Sequence, residues 1–68
     1  MKREALKQSE LIQSIGWRDH NMEIKYRDDG KTFVYLNVPL MTYMALKRSK
    51  NPGQDWLKIR SQYKYREV

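Results

Sequence analysis

Residues 22–35, Met22-Glu23-Ile24-Lys25-Tyr26-Arg27-Asp28-Asp29-Gly30-Lys31-Thr32-Phe33-Val34-Tyr35, decide the fold class. Met22, Ile24 and Tyr26 alternate with Glu23, Lys25 and Arg27, the period-two pattern of a half-buried strand. Asp28-Asp29-Gly30 then supplies turn chemistry, with Gly30 free to take the positive φ that a tight connection needs. A second strand follows from Thr32, so the segment predicts an antiparallel hairpin. On that strand Phe33 and Tyr35 share one face, and Val34, Leu36 and Val38 share the other.

Pro39 closes the second strand, because it has no N–H for a ladder, and its fixed φ suits the first turn of a helix. The residues after it predict a main helix over about 39–48. Leu40, Tyr43 and Met44 form its expected packing stripe, with Leu46 or the stem of Lys47. Met41 and Met44 read as gap-filling core residues. Asn51-Pro52-Gly53 breaks that helix. A short second helix is expected at about 54–60, carrying Trp56, Leu57 and Ile59, and then a basic C-terminal tail. On the N-terminal side, Asp19-His20-Asn21 is a turn composition. Before it, an edge strand over Ile12–Arg18 is the preferred reading, and a helix over 9–15 is compatible with the same residues. Residues 1–8 read as a flexible or helical arm. The expected class is α+β, a three-stranded antiparallel meander packed by one main helix and one short one.

At 68 residues the chain holds a single domain with one small core. It contains no cysteine, so neither a disulfide nor a thiolate zinc site is available. No apolar run reaches the length of a membrane span, and a soluble cytoplasmic protein is the expectation. The net charge is +6 and lies mostly in the second half. Residues 1–38 carry seven Lys/Arg and six Asp/Glu, a net of +1, whereas residues 39–68 carry seven Lys/Arg and two Asp/Glu, a net of +5. Such asymmetry suggests a polyanionic partner, nucleic acid before an acidic protein or membrane surface.

Several pieces in order resemble the KTSC family. They are Ile12-Gln13-Ser14-Ile15-Gly16-Trp17-Arg18-Asp19, the alternating strand with its Asp-Gly turn, the aromatic-x-aromatic strand, Val38-Pro39 opening the helix, and the closing Tyr63-x-Tyr65. This family is named for a short domain at the C-terminus of some lysyl-tRNA synthetases and also occurs as small stand-alone bacterial and phage proteins. The resemblance spans residues 9–68. Two departures are visible. Phe33 stands where the family's central motif has a tyrosine, and the segment 53–59 is about one residue shorter than the family's. The resemblance implies that the aromatic face of the second hairpin strand lies inside, and that the role is RNA binding without an assigned activity.

Catalytic chemistry finds little support. His20 is the single histidine. The serines lack a visible base or elbow motif, and no glycine-rich phosphate loop exists. The expectation is a non-enzymatic binding module with no cofactor, metal or small-molecule substrate. Its expected nucleic-acid-binding residues are Lys47, Arg48, Lys50, Lys58, Arg60, Tyr63, Lys64, Tyr65 and Arg66. Cations neutralise phosphates and exposed aromatics stack on unpaired bases, so RNA or single-stranded DNA is the expected partner. The alternative is a module docking on a larger bacterial or phage protein, with Trp56, Met41 or an open strand edge as anchor.

Overall fold

The computed structural model describes residues 3–68. Five strands form one antiparallel sheet in the order β1-β2-β3-β4-β5: β1 Arg3–Ala5, β2 Ile12–Arg18, β3 Asn21–Tyr26, β4 Thr32–Tyr35 and β5 Tyr65–Glu67. Two helices, α1 Leu40–Arg48 and α2 Pro52–Ile59, and a 3-10 turn at Arg60–Gln62 lie between β4 and β5. The α+β class holds, but the three-stranded meander is an undercount. Both added strands are three residues long, too short to show a periodic pattern.

Their placement corrects two further expectations. Residues 3–5 of the N-terminal arm are a strand paired with β2 rather than a helix, and residues 1–2 lie outside the described chain. β2 is therefore an interior strand, not an edge. The basic tail is in part β5, whose Tyr65 sits opposite Tyr35 and whose Arg66 sits opposite Val34.

Local chemistry explains the connections. Asp19 and His20 join β2 to β3 with Arg18 opposite Asn21, and both have positive φ (51° and 65°), as a two-residue hairpin turn with the twist of its strands requires. Gly30 takes φ 70° in the β3–β4 turn, where its N–H donates to the Tyr26 carbonyl. After β4, Asn37 also adopts a left-handed φ of 56° and breaks the strand alternation. Val38 consequently swings into the core instead of staying on the face of Val34. Its N–H donates to the His20 carbonyl at 2.7 Å, and its carbonyl accepts from Trp17 Nε1 at 2.7 Å. The two bonds pin the start of α1 to the β2–β3 turn.

Both helices pack on one face of the sheet. The core there gathers Ile12, Ile15, Met22, Ile24, Tyr26 and Tyr35 with Val38, Leu46 of α1 and Trp56 of α2. The α1 stripe differs from the expected one. Leu46 is buried and Tyr43 half-buried, whereas Leu40, Met44 and above all Met41 (82% exposed) face outward. Starting at Pro39, the helix has its inward phase at Tyr43 and Leu46, and the methionines fall on the solvent side. α2 packs more deeply: Pro52, Gly53 and Trp56 are buried, and Leu57 is exposed.

The β1–β2 connection is anchored to this core by the buried Leu6 and Ser9. Ser9 Oγ accepts the Leu11 and Ile12 N–H groups at 3.2 and 3.0 Å. Arg27 donates to the carbonyls of Leu6, Ser9 and Ile12. Arg27, which alternation alone places in solvent, thus staples the loop. Gly53 is needed because α2 approaches this loop closely: a Cβ there would lie 2.9 Å from Leu11 Cβ and 3.0 Å from Ser9 Oγ.

Candidate functional site

Side-chain alternation divides the sheet into two chemically different faces. Register places Ile24 opposite Phe33, and Met22 opposite Tyr35. With Tyr65 opposite Tyr35, these rings line the helix-covered face. Glu23, Lys25, Val34 and Arg66 fall on the other face, which no helix covers among the described residues.

On the covered face the aromatic residues form a connected group. Trp56 and Tyr35 meet edge to face with centroids 4.8 Å apart, and Tyr63 stacks on the other side of Trp56 at 5.8 Å and 11°. Phe33 contacts Tyr26, Tyr35 and Tyr65 at 5.6–6.4 Å between centroids. Such tilted and T-shaped contacts suit the quadrupoles of the rings. Phe33 and Tyr35 are therefore packing residues, and the missing hydroxyl of Phe33 leaves an apolar edge against its neighbours. Trp56 has no exposed surface and is a core residue, not an available docking anchor.

Polar atoms inside this group are paired. Trp56 Nε1 donates to the Tyr26 hydroxyl at 3.0 Å, and the Tyr26 and Tyr35 hydroxyls share a hydrogen bond. Burial, followed by the hydrogen bond and charge of Tyr26, pushes the Tyr35 phenol well above its ordinary value of 10.0, while Trp56 and the Arg60 charge act in the opposite sense.

Where the group meets solvent, a cavity of about 440 Å³ opens, lined by the five rings of Tyr26, Phe33, Tyr35, Tyr63 and Tyr65 and by Arg60 and Ser61. Its volume falls within the range of small-molecule pockets. β5 and the 3-10 turn before it supply Tyr65, Tyr63 and Arg60. Tyr65 is 62% exposed although its ring touches Phe33 and Tyr35.

The nine expected binding residues do not form one patch. Arg60, Tyr63 and Tyr65 converge on the cavity. Lys64 and Arg66 alternate with the tyrosines and point to the uncovered face, where the Lys64 carbonyl accepts the Leu36 N–H at 2.8 Å and extends the ladder. Lys58 lines a groove between α1 and α2 beside Asp55. Arg48 and Lys50 are exposed near the end of α1. Lys47 is committed locally: its Nζ bonds Glu4 at 2.9 Å and lies 5.1 Å from the Tyr43 ring centroid. The Glu4 bond raises its pKa above the ordinary lysine value. The sequence reading did not anticipate Tyr26 and Phe33 as cavity walls, nor Arg3, Arg18 and Lys25 as further cations on the uncovered face. Strand register carried that signal, since β2 and β3 place these residues on the face of Arg66. Glu23 on that face pairs with Arg3 at 3.2 Å, and Arg18 lies 3.6 Å from the Asp19 carboxylate.

Comparison with known proteins locates this architecture. The fold matches the crystal structure of a KTSC domain protein from Yersinia pestis with a TM-score of 0.89 and 27% identity, covering 98% of this chain and 96% of that one. No curated protein matches the chain. The KTSC domain model matches residues 8–63, a segment that contains β2 to α2 and leaves β1 and β5 outside it. This chain belongs to the KTSC domain family.

Proposed function

We propose that the protein is a non-enzymatic module that binds single-stranded nucleic acid, RNA foremost, along the β5 edge. One observation carries the reading. Residues 63–66, which lead into the last strand, place Tyr63 and Tyr65 at an open cavity and alternate them with Lys64 and Arg66, Arg66 lying on the uncovered sheet face. A single strand running along this edge has its bases turned toward Tyr63 and Tyr65 and its phosphates toward Lys64 and Arg66. Lys25 lies on the same face and extends the positive surface away from the edge, whereas Arg3 and Arg18 there are ion-paired with Glu23 and Asp19. The duplex is disfavoured, because neither helix stands clear of the core as a groove-reading element.

The test is titration of labelled single-stranded RNA, single-stranded DNA and duplex at several salt concentrations. Log affinity falls linearly with log salt, and the double variant Lys64→Gln/Arg66→Gln flattens the slope by about 0.7 per cation removed. Affinity that does not respond to salt, or no binding at low salt, overturns the reading.

The outward apolar residues of α1 favour a second reading. Leu40, Met41 and Met44 are exposed on one helix, and a flexible methionine surface suits a protein partner. In that case a complex with a larger bacterial or phage protein survives nuclease treatment and is lost in Met41→Ser.

A further inference from the structure

The two buried tyrosine hydroxyls leave one hydrogen unused. Tyr26 and Tyr35 carry two phenolic protons, and the bond between them uses one. Trp56 Nε1 is itself a donor to Tyr26 and consumes none. Whichever tyrosine donates to the other, the second proton has no acceptor among the described residues. Both side chains are more than nine-tenths buried, at 7% and 4% exposure, and both line the cavity. At the same cavity stands Arg60, an exposed guanidinium with no acidic partner among the described residues and five N–H donors. Ser61 and the aromatic rings complete the walls. The cavity is thus flat-walled and rich in donors: Arg60 and the spare phenolic hydrogen can only donate, while the hydroxyls of Ser61, Tyr63 and Tyr65 can donate or accept.

We infer that this cavity receives one unstacked base of the bound strand and prefers guanine to adenine. The inference rests on the nucleic-acid reading above. Guanine presents two adjacent acceptors, N7 and O6, which match a guanidinium fork, and the spare phenolic hydrogen reinforces the demand for acceptors. Adenine presents its N6 amino hydrogens in place of O6, so a donor would face donors. Tyr65 is the exposed ring positioned to stack on the base, and Tyr63, held against Trp56, is the rigid wall.

The experiment uses fluorescein-labelled RNA octamers of adenine in which the fourth base is adenine, guanine or inosine, followed by anisotropy at fixed low salt. Inosine keeps N7 and O6 and lacks the 2-amino group. Guanine and inosine octamers should bind at least about fivefold more tightly than the adenine octamer. In Arg60→Gln, an exposed substitution, the preference should shrink to less than about twofold while binding to all three persists. Tyr26→Phe/Tyr35→Phe, checked for folding by circular dichroism, should narrow it as well. Equal, salt-dependent binding of all three octamers overturns the base preference and leaves nucleic-acid binding standing. A preference for guanine that inosine does not share, or one that survives in Arg60→Gln, overturns the assigned edge. Failure of every octamer to bind at low salt overturns both the preference and the reading beneath it.

Discussion

On the covered face of β3, β4 and β5, Ile24, Tyr26, Phe33, Tyr35 and Tyr65 meet one another and the Trp56 ring. One residue along each strand, the uncovered face shows Lys25, Val34 and Arg66, with Glu23 already paired to Arg3. The same backbone therefore supplies an aromatic wall, packed except where the cavity opens at Tyr65, and a hydrated cationic one. Val34 is the exception, 8% exposed on the open side, with Glu23 and Arg66 as its register partners. Long charged side chains shield apolar surface with their stems while their heads stay in water. The comparison teaches that packing and charge are divided between the faces: the covered face holds the fold, and the open face carries the cations.

The largest break in that comparison is Trp56→Ala. Loss of the indole opens a cavity between the sheet and α2 and removes the donor to Tyr26. The expected cost of about 3–5 kcal/mol approaches the whole stability of so small a domain. Urea denaturation or circular dichroism should find the variant largely unfolded at 25 °C. Gly53→Ala comes next. Its methyl meets Leu11 Cβ and Ser9 Oγ at about 3 Å, so the loop or α2 must shift. A loss of about 1–3 kcal/mol is expected in the same measurement.

The dryness of the covered face has its own readout in pH. Tyr35 keeps its proton when folded, whereas the unfolded chain releases it near the ordinary value of 10.0. Above about pH 10 the unfolded state therefore binds fewer protons, and stability falls as pH rises. Below that pH the contribution is fully present. Denaturation midpoints between pH 9 and 11 should decline more steeply for the wild type than for Tyr35→Phe. Equal slopes would place Tyr35 in a wetter setting than its burial implies. The smallest effect belongs to the open face: Lys64→Gln/Arg66→Gln should leave stability within about 0.5 kcal/mol of wild type, although it flattens the salt slope. A larger loss would show that Arg66 is needed to cover Val34.

The β3–β4 hairpin was legible in the sequence because its alternation runs over six residues and its turn contains Gly30, whose positive φ is realised. Pro39 marked the start of α1 and Asn51-Pro52-Gly53 its break for the same reason, since Pro and Gly act on the backbone wherever they stand. β1 and β5 were not legible. Three residues contain no period, and each strand exists only because β2 or β4 offers it an edge. Nor was the phase of α1, because Leu40, Met41, Met44 and Leu46 surround the helix and only the sheet selects Leu46.

The site divides along similar lines. Composition by itself identified a basic, tyrosine-bearing C-terminal segment, since charge and residue type are properties of the chain. Tertiary structure separated that segment into parts: it tied Lys47 to Glu4, sent Lys64 and Arg66 to the open face, and gathered Arg60, Tyr63 and Tyr65 with Tyr26 and Phe33 around one cavity. Residue type and local backbone preference are written in sequence order. Which side chains meet depends on strand register and on the return of β5 to β4 across two helices, and those contacts exist only once the sheet has closed.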